Sequence, residues 1–535
     1  MRDNHFAPWP SFPAISVHDN TFAHNYGIQI KIEDIYYSSD LTDQITEEQI
    51  HFYLNTYKNI TSPTSVIYAS NCRYIKDEDS TIDGYKTYYG WIYTNQVDFY
   101  DTDNITIYDS AGDITALGAF INNGADFKLG GITAYDLKLT GAITTTKDYQ
   151  EIAANDDTRD VPAYAYIQSG YVTISNSEFY HGDFNFGFLQ QSGTLSFDGA
   201  SFHDFNVSSM LFLIISNAET SFNSSTVTRI NATASTVAGF AYIYSSTFTA
   251  TGTTFSYIDS QTSGVAVGYL SDLTFDGCTV TENNSTGDSS TISTKLGGLT
   301  LKSSTFSDNY AVGAATVSSI LAEIAIESCT FKDNVASSRI HHLYFKKLLN
   351  ELTISDSTFS NVILQSESST DITGNFLMIV DSSAIITGST FKRSHTERGA
   401  IVMDAEAETL TLQNCQFYDN YGSQAGAIYA KSSLIIESTV FQRGSNLIYT
   451  SGGKDVTIID STFKEHIEVA IYAEIVTRVA ITSSLFDEIP SHAIYSPYAN
   501  NNEQASGRLH CKYCGTVEVT STTFQNMIRQ TGCGA

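Results

Sequence analysis

Leu434-Ile435-Ile436-Glu437-Ser438-Thr439-Val440-Phe441 is followed 22 residues on by Val456-Thr457-Ile458-Ile459-Asp460-Ser461-Thr462-Phe463, and 23 further on by Val479-Ala480-Ile481-Thr482-Ser483-Ser484-Leu485-Phe486. The shared word is apolar, any, apolar, any, turn former, small, any, Phe. Fifteen copies run from Ile15–Phe22 to Val517–Phe524, thirteen ending in Phe and two in Val. Its first and third residues alternate with period two, as on one face of a strand. The fifth residue is always Gly, Asp, Asn or Ser, types that accept left-handed backbone. A one-residue bend there resets the alternation, so the sixth and eighth residues also face inward. Successive turns then stack a Phe ladder beside a ladder of small residues, Cys278, Cys329 and Cys415 among them.

From Val172 on, most copies lie 22 to 28 residues apart, a solenoid period. The leucine-rich consensus is missing and no helical pattern fills the rest of each unit. The fold predicted is all-β, a right-handed parallel β-helix solenoid of about eighteen coils, fifteen clear and three degenerate (Ile67–Tyr74, Val97–Asn104 and Phe127–Ala134). Residues 1–165 read as irregular coils with insertions, and 166–535 as regular coils of one continuous solenoid. Thr46-Glu47-Glu48-Gln49 ahead of Ile50, Phe52 and Leu54 predicts one short helix in 40–58. Ala427-Ile428-Tyr429, Leu447-Ile448-Tyr449, Ala470-Ile471-Tyr472 and Ala493-Ile494-Tyr495 predict a second strand in each coil. Tyr418 to Gln424 reads as a polar loop between Phe417 and that strand.

With 28 Lys+Arg against 58 Asp+Glu the net charge is −30, which disfavours nucleic acid and anionic lipid as partners. The longest apolar stretch, Met210–Ile215, is far too short to span a bilayer, and direct membrane insertion is not expected. No signal peptide is visible in the sequence as given. Seven N-x-[ST] acceptors, Asn59, Asn104, Asn206, Asn223, Asn231, Asn283 and Asn284, are candidates for N-linked glycans, about the number that chance supplies in so Ser/Thr-rich a chain. Open coil ends with unpaired strand edges predict self-association, end to end or lateral.

His510, Cys511, Cys514 and Cys533 form a candidate cluster, a disulfide clamp in a secreted chain or a zinc site. Asp101-Thr102-Asp103-Asn104 and Asn155 to Asp160 are acidic loops with oxygen spacing that calcium could use, although solvated loops have the same composition. No other cofactor and no catalytic residue is expected. His341-His342 beside Lys346-Lys347 reads as a basic loop insertion.

Phe306-Ser307-Asp308-Asn309, Phe331-Lys332-Asp333-Asn334 and Phe417-Tyr418-Asp419-Asn420 are F-x-x-N words, and Ala425-Gly426-Ala427-Ile428 is close to G-G-A-[ILV]. Together they resemble the polymorphic outer membrane protein repeats of bacteria and the β-helical surface proteins of ciliates. That resemblance covers Ile15–Asn25 and most of 170–530, and implies a displayed, adhesin-like or coat-like protein at the cell surface or outside the cell. Pectin-degrading enzymes share the β-helix, so a polysaccharide lyase or glycoside hydrolase is the alternative. The polygalacturonase motifs are not intact here; the nearest fragments are Asp156-Asp157 and His181-Gly182.

Overall fold

The computed structural model describes residues 15–26, 29–35, 50–62, 65–87, 90–103, 105–108, 120–130, 133–135, 163–232, 238–286, 290–312, 316–336, 340–361, 363–364, 374–452, 455–466, 469–487 and 509–526. Among them every regular element is a strand, and the strands pair in parallel from coil to coil. The chain forms two compact units, Met1–Ser235 with Gly239–Phe248, and Thr236–Ala238 with Thr249–Ala535.

In the first unit the opening residue of the repeated word stacks as Ile15, Ile50, Ile75, Tyr100, Phe127, Val172, Leu195 and Thr220. In the second, the third residue stacks as Phe275, Leu301, Ile326, Ile354, Ile386, Leu412, Ile436, Ile458, Ile481 and Val519. The fifth-position residues carry positive φ in all fifteen copies, from 46° at Asn176 to 64° at Gly199. The bend inferred from residue type is therefore the corner at which each coil turns.

The eighth-position rings stack face to face from Phe306 through Phe331, Phe359, Phe391, Phe417, Phe441, Phe463 and Phe486 to Phe524, with centroids 4.7–5.0 Å apart. Beside them the small residues form a hydrogen-bonded chain. The amide of Cys415 donates to Thr439 Oγ1, that of Thr439 to Ser461 Oγ and that of Ser461 to Ser484 Oγ. Each hydroxyl in turn donates to the carbonyl two residues before it. The side chain gives the corner's buried amide an acceptor, and its own proton goes to a carbonyl that also takes a backbone amide, as Glu437 O does from Asn414.

Five expectations need correction. Ile50–Tyr53 and Thr56–Ser62 are strands where a helix was expected; Thr46–Gln49 lies outside the described residues. Ile50 and Phe52 alternate with period two and stack between neighbouring coils, so tertiary pairing overrides the local helical signal. Two of the degenerate copies are out of phase: the in-register words are Ile75–Ile82 and Tyr100–Ile107, and Ile50–Tyr57 is a further copy. Tyr418–Gly422 continues the strand Gln416–Gly422, and Ile340–Lys346 is a strand in which His342 is fully buried, so neither segment is the predicted loop. Finally, the neighbour of Ile471 in the second-strand row is Leu509, not Ile494.

Candidate functional site

A dense set of polar contacts lies on the outer surface of three successive coils of the first unit. Strand alternation turns Glu178, Tyr180 and His203 outward while Phe179 and Phe202 fill the core. Directly after these strands the chain makes a second one-residue turn, at His181 (φ 53°), Asp204 (φ 60°) and Arg229 (φ 53°). The 25-residue spacing then brings the groups together. His203 lies with Nε2 2.9 Å from Glu178 Oε1 and Nδ1 2.7 Å from Asp204 Oδ2. Arg229 donates from Nε and Nη2 to the two oxygens of Asp204, at 2.5 and 2.7 Å. Tyr180 stacks on the His203 ring at 5.0 Å, and His181 Nε2 is 4.0 Å from Asp204.

The Arg229 guanidinium holds the Asp204 carboxyl well below the usual carboxylate range, with His203 acting in the same direction. Such a set can fix an imidazole tautomer, relay a proton between carboxylates or present a charged surface to a polar ligand. Of these residues the sequence reading singled out His181 alone. Part of the set is signalled by the repeat itself: Tyr180 and His203, and Asp204 and Arg229, lie one coil apart at the same word position.

A second outer row stacks Tyr429, Tyr449, Tyr472 and His510, with centroids 5.1, 5.2 and 4.7 Å apart. Arg398 lies over Tyr429, and Tyr449 Oη donates to Glu474. Each ring face covers the next.

The His510, Cys511, Cys514 and Cys533 cluster divides. His510 points outward onto Tyr472, whereas Cys511 pairs in register with the fully buried Ala473 and faces inward. A strand turns adjacent residues to opposite faces, so His510 and Cys511 do not share one. Cys533 lies outside the described residues, and among the described residues no group of three or more His, Cys, Asp or Glu is placed to hold a metal. Asp101 and Asp103 belong to the strand Gly90–Asp103 rather than to a loop; Asn104 and 155–160 lie outside the described residues.

Cys278, Cys329 and Cys415 are buried in the small-residue ladder, and burial pushes each thiol up to about 11. Cys278 Sγ donates to Ala250 O and Cys415 Sγ to Ile386 O. They act as core hydroxyl substitutes, not as nucleophiles.

Of the sequon asparagines, Asn206 and Asn231 are exposed and joined amide to amide at 3.0 Å across neighbouring coils. Asn223 and Asn284 are half-buried, Asn59 sits in the strand Thr56–Ser62, and Asn104 is not described. Asn283 is fully buried, its Nδ2 donating to Phe255 O and Asn309 Oδ1. The folded chain offers that nitrogen no room for a sugar.

Comparison with curated proteins finds no match. Among solved structures, the crystal structure of Dettilon tailspike protein (gp208) aligns over 81% of this chain and 62% of its own length, at 9% identity and a TM-score of 0.16. The chain thus spans about three fifths of that structure, a likeness too low to inform function. A family model described as a right handed beta helix region matches residues 163–331 and 347–506, more than half of the sequence. With the repeated corners and parallel ladders already in view, the chain belongs to the right-handed β-helix family.

Proposed function

We propose that this protein is a non-catalytic surface or structural protein, displayed outside the cell as an adhesive or coat-like β-helix. The observation that supports this reading is how its reactive side chains are used. The three ladder thiols are buried among backbone acceptors, and the Asn283, Asn309 and Asn334 amides bind one another. Groups committed to coil-to-coil bonds stabilise a repeat and leave its surface to act by shape and charge. Asn206 and Asn231 are the acceptors best placed for glycans.

The alternative, a polysaccharide lyase or hydrolase, draws on one specific feature, the Glu178, His203, Asp204 and Arg229 cluster on one outer face. Incubating the full chain with pectin and a panel of acidic and neutral glycans, with and without calcium, separates the two. No product is expected from either the wild-type chain or His203→Ala. Product from wild type that is lost in His203→Ala would replace the first reading with the second.

A further inference from the structure

We propose that Cys511 and Cys514 form a disulfide with each other, a covalent staple across the corner at Tyr513. The strand Leu509–Lys512 pairs with Ile471–Glu474, placing Cys511 against Ala473 on the inner side of the coil. Lys512 faces outward and reaches Glu474 at 3.0 Å. Tyr513 then takes a left-handed backbone (φ 58°) and turns the chain, so that Cys514 again points inward, its Sγ 3.5 Å from Ala473 O. Both sulphurs thus face the inner side of one corner, against Ala473. Both are half-buried, unlike the fully enclosed thiols of Cys278, Cys329 and Cys415.

Two thiols with no third ligand beside them among the described residues make a poor zinc site, which takes four donors. What two apposed thiols can do is lose two electrons. With glutathione disulfide as oxidant, one protein thiolate attacks a glutathione sulphur, forming a mixed disulfide and releasing one glutathione. The second protein thiol then gives up its proton and attacks the mixed disulfide, forming the Cys511–Cys514 bond and releasing the second glutathione. Two S–H bonds are lost, one S–S bond forms, and the oxidant is reduced to two thiols. Burial and the neighbouring sulphur push the Cys511 thiol up to about 12, so little of it is thiolate at neutral pH.

The chain sequence supplies a direct assay, because trypsin cuts after Lys512, between the two cysteines. The folded full-length chain is treated with glutathione disulfide, its remaining thiols are alkylated after denaturation, and it is digested without reduction. Peptides 509–512 and 513–529 should be recovered joined, two hydrogens lighter than their sum, and should separate with dithiothreitol. Cys278, Cys329 and Cys415 should all be alkylated, marking a chain that stayed folded during oxidation. Cys511→Ser and Cys514→Ser should each abolish the joined peptides. Both cysteines alkylated after oxidation would overturn the proposal, as would either one joined to peptide 530–535, which carries Cys533, or to a second chain. Retention of one equivalent of zinc by the reduced chain, with both thiols shielded from alkylation, would overturn it in favour of metal.

Discussion

Asn309 sits where only an uncharged amide can meet every demand. Its Oδ1 accepts from the Asn283 backbone amide and from Asn283 Nδ2, while its own Nδ2 donates to Val280 O and to Asn334 Oδ1 at 2.9 Å. Asp would lack the donors, and Ala would leave a buried amide and a buried carbonyl without partners. Each such orphan costs about 1–3 kcal/mol. Asn309→Ala is therefore expected to lower stability by at least that much and to speed amide exchange in the flanking coils. Asn206→Ala, at an exposed site, should stay within about 0.5 kcal/mol. Unchanged exchange around Asn283 and Asn309 in the first variant would show that the ladder is not a stabilising element. This same asparagine appeared in the sequence only as part of F-x-x-N, a family-like word; its physical reason is visible only when the coils are stacked. The corner residues were legible because tolerance of left-handed backbone belongs to Asp, Asn, Ser and Gly themselves. Leu270 and Leu321 take the same conformation with no such signature, held there by pairing with adjacent coils.

Many of the strands are only two to five residues long, too short to persist singly, and each becomes stable through the parallel neighbours above and below it. This explains where the reading of elements failed. In the regular coils a short strand between two corners has one phase. In Ser65–Glu78 and Gly90–Asp103, each 14 residues long, no left-handed residue fixes a corner, and the word fits in more than one register. Choosing Ile67 over Ile75 (eight residues away) or Val97 over Tyr100 (three away) is decided only by the neighbouring strand. The Asp204 cluster was missed for a related reason, since its members are ordinary surface residues until 25-residue offsets align them. Across these coils it makes a pH prediction. Arg229 depresses the folded-state pKa of Asp204 below its ordinary 3.8, so the carboxylate stabilises the fold above that value, and the contribution fades as pH falls towards the lower folded-state value. Asp204→Asn should thus melt earlier than wild type at about pH 6, with the gap narrowing as the medium is acidified below about pH 4. A gap that stays constant down to about pH 2 would assign the loss to packing and not to charge.

At the scale of the whole molecule, a net charge of −30 and a pI near 4.6 set how copies of the chain meet. Self-association was expected from uncovered strand edges, and mutual repulsion opposes it at neutral pH. The two effects differ in range. Edge pairing and side-by-side contact act at van der Waals distance, whereas unscreened repulsion extends about 30 Å at 0.01 M salt and about 8 Å at 0.15 M. The outer ion pairs, such as Arg443 with Asp419 and Lys431 with Asp404, neutralise only part of the acidic surface and weaken with salt as well. Net repulsion therefore dominates the salt response, and association should rise with ionic strength and again as pH approaches 4.6. Sedimentation velocity across a concentration series at 0.01, 0.15 and about 0.5 M salt gives the measurement. A weight-average coefficient that grows with concentration only at the higher salts is the expected result. A concentration-independent monomer at every salt would remove self-association from the proposed function and leave display of a single chain, with contacts to a different partner, as the way its surface acts.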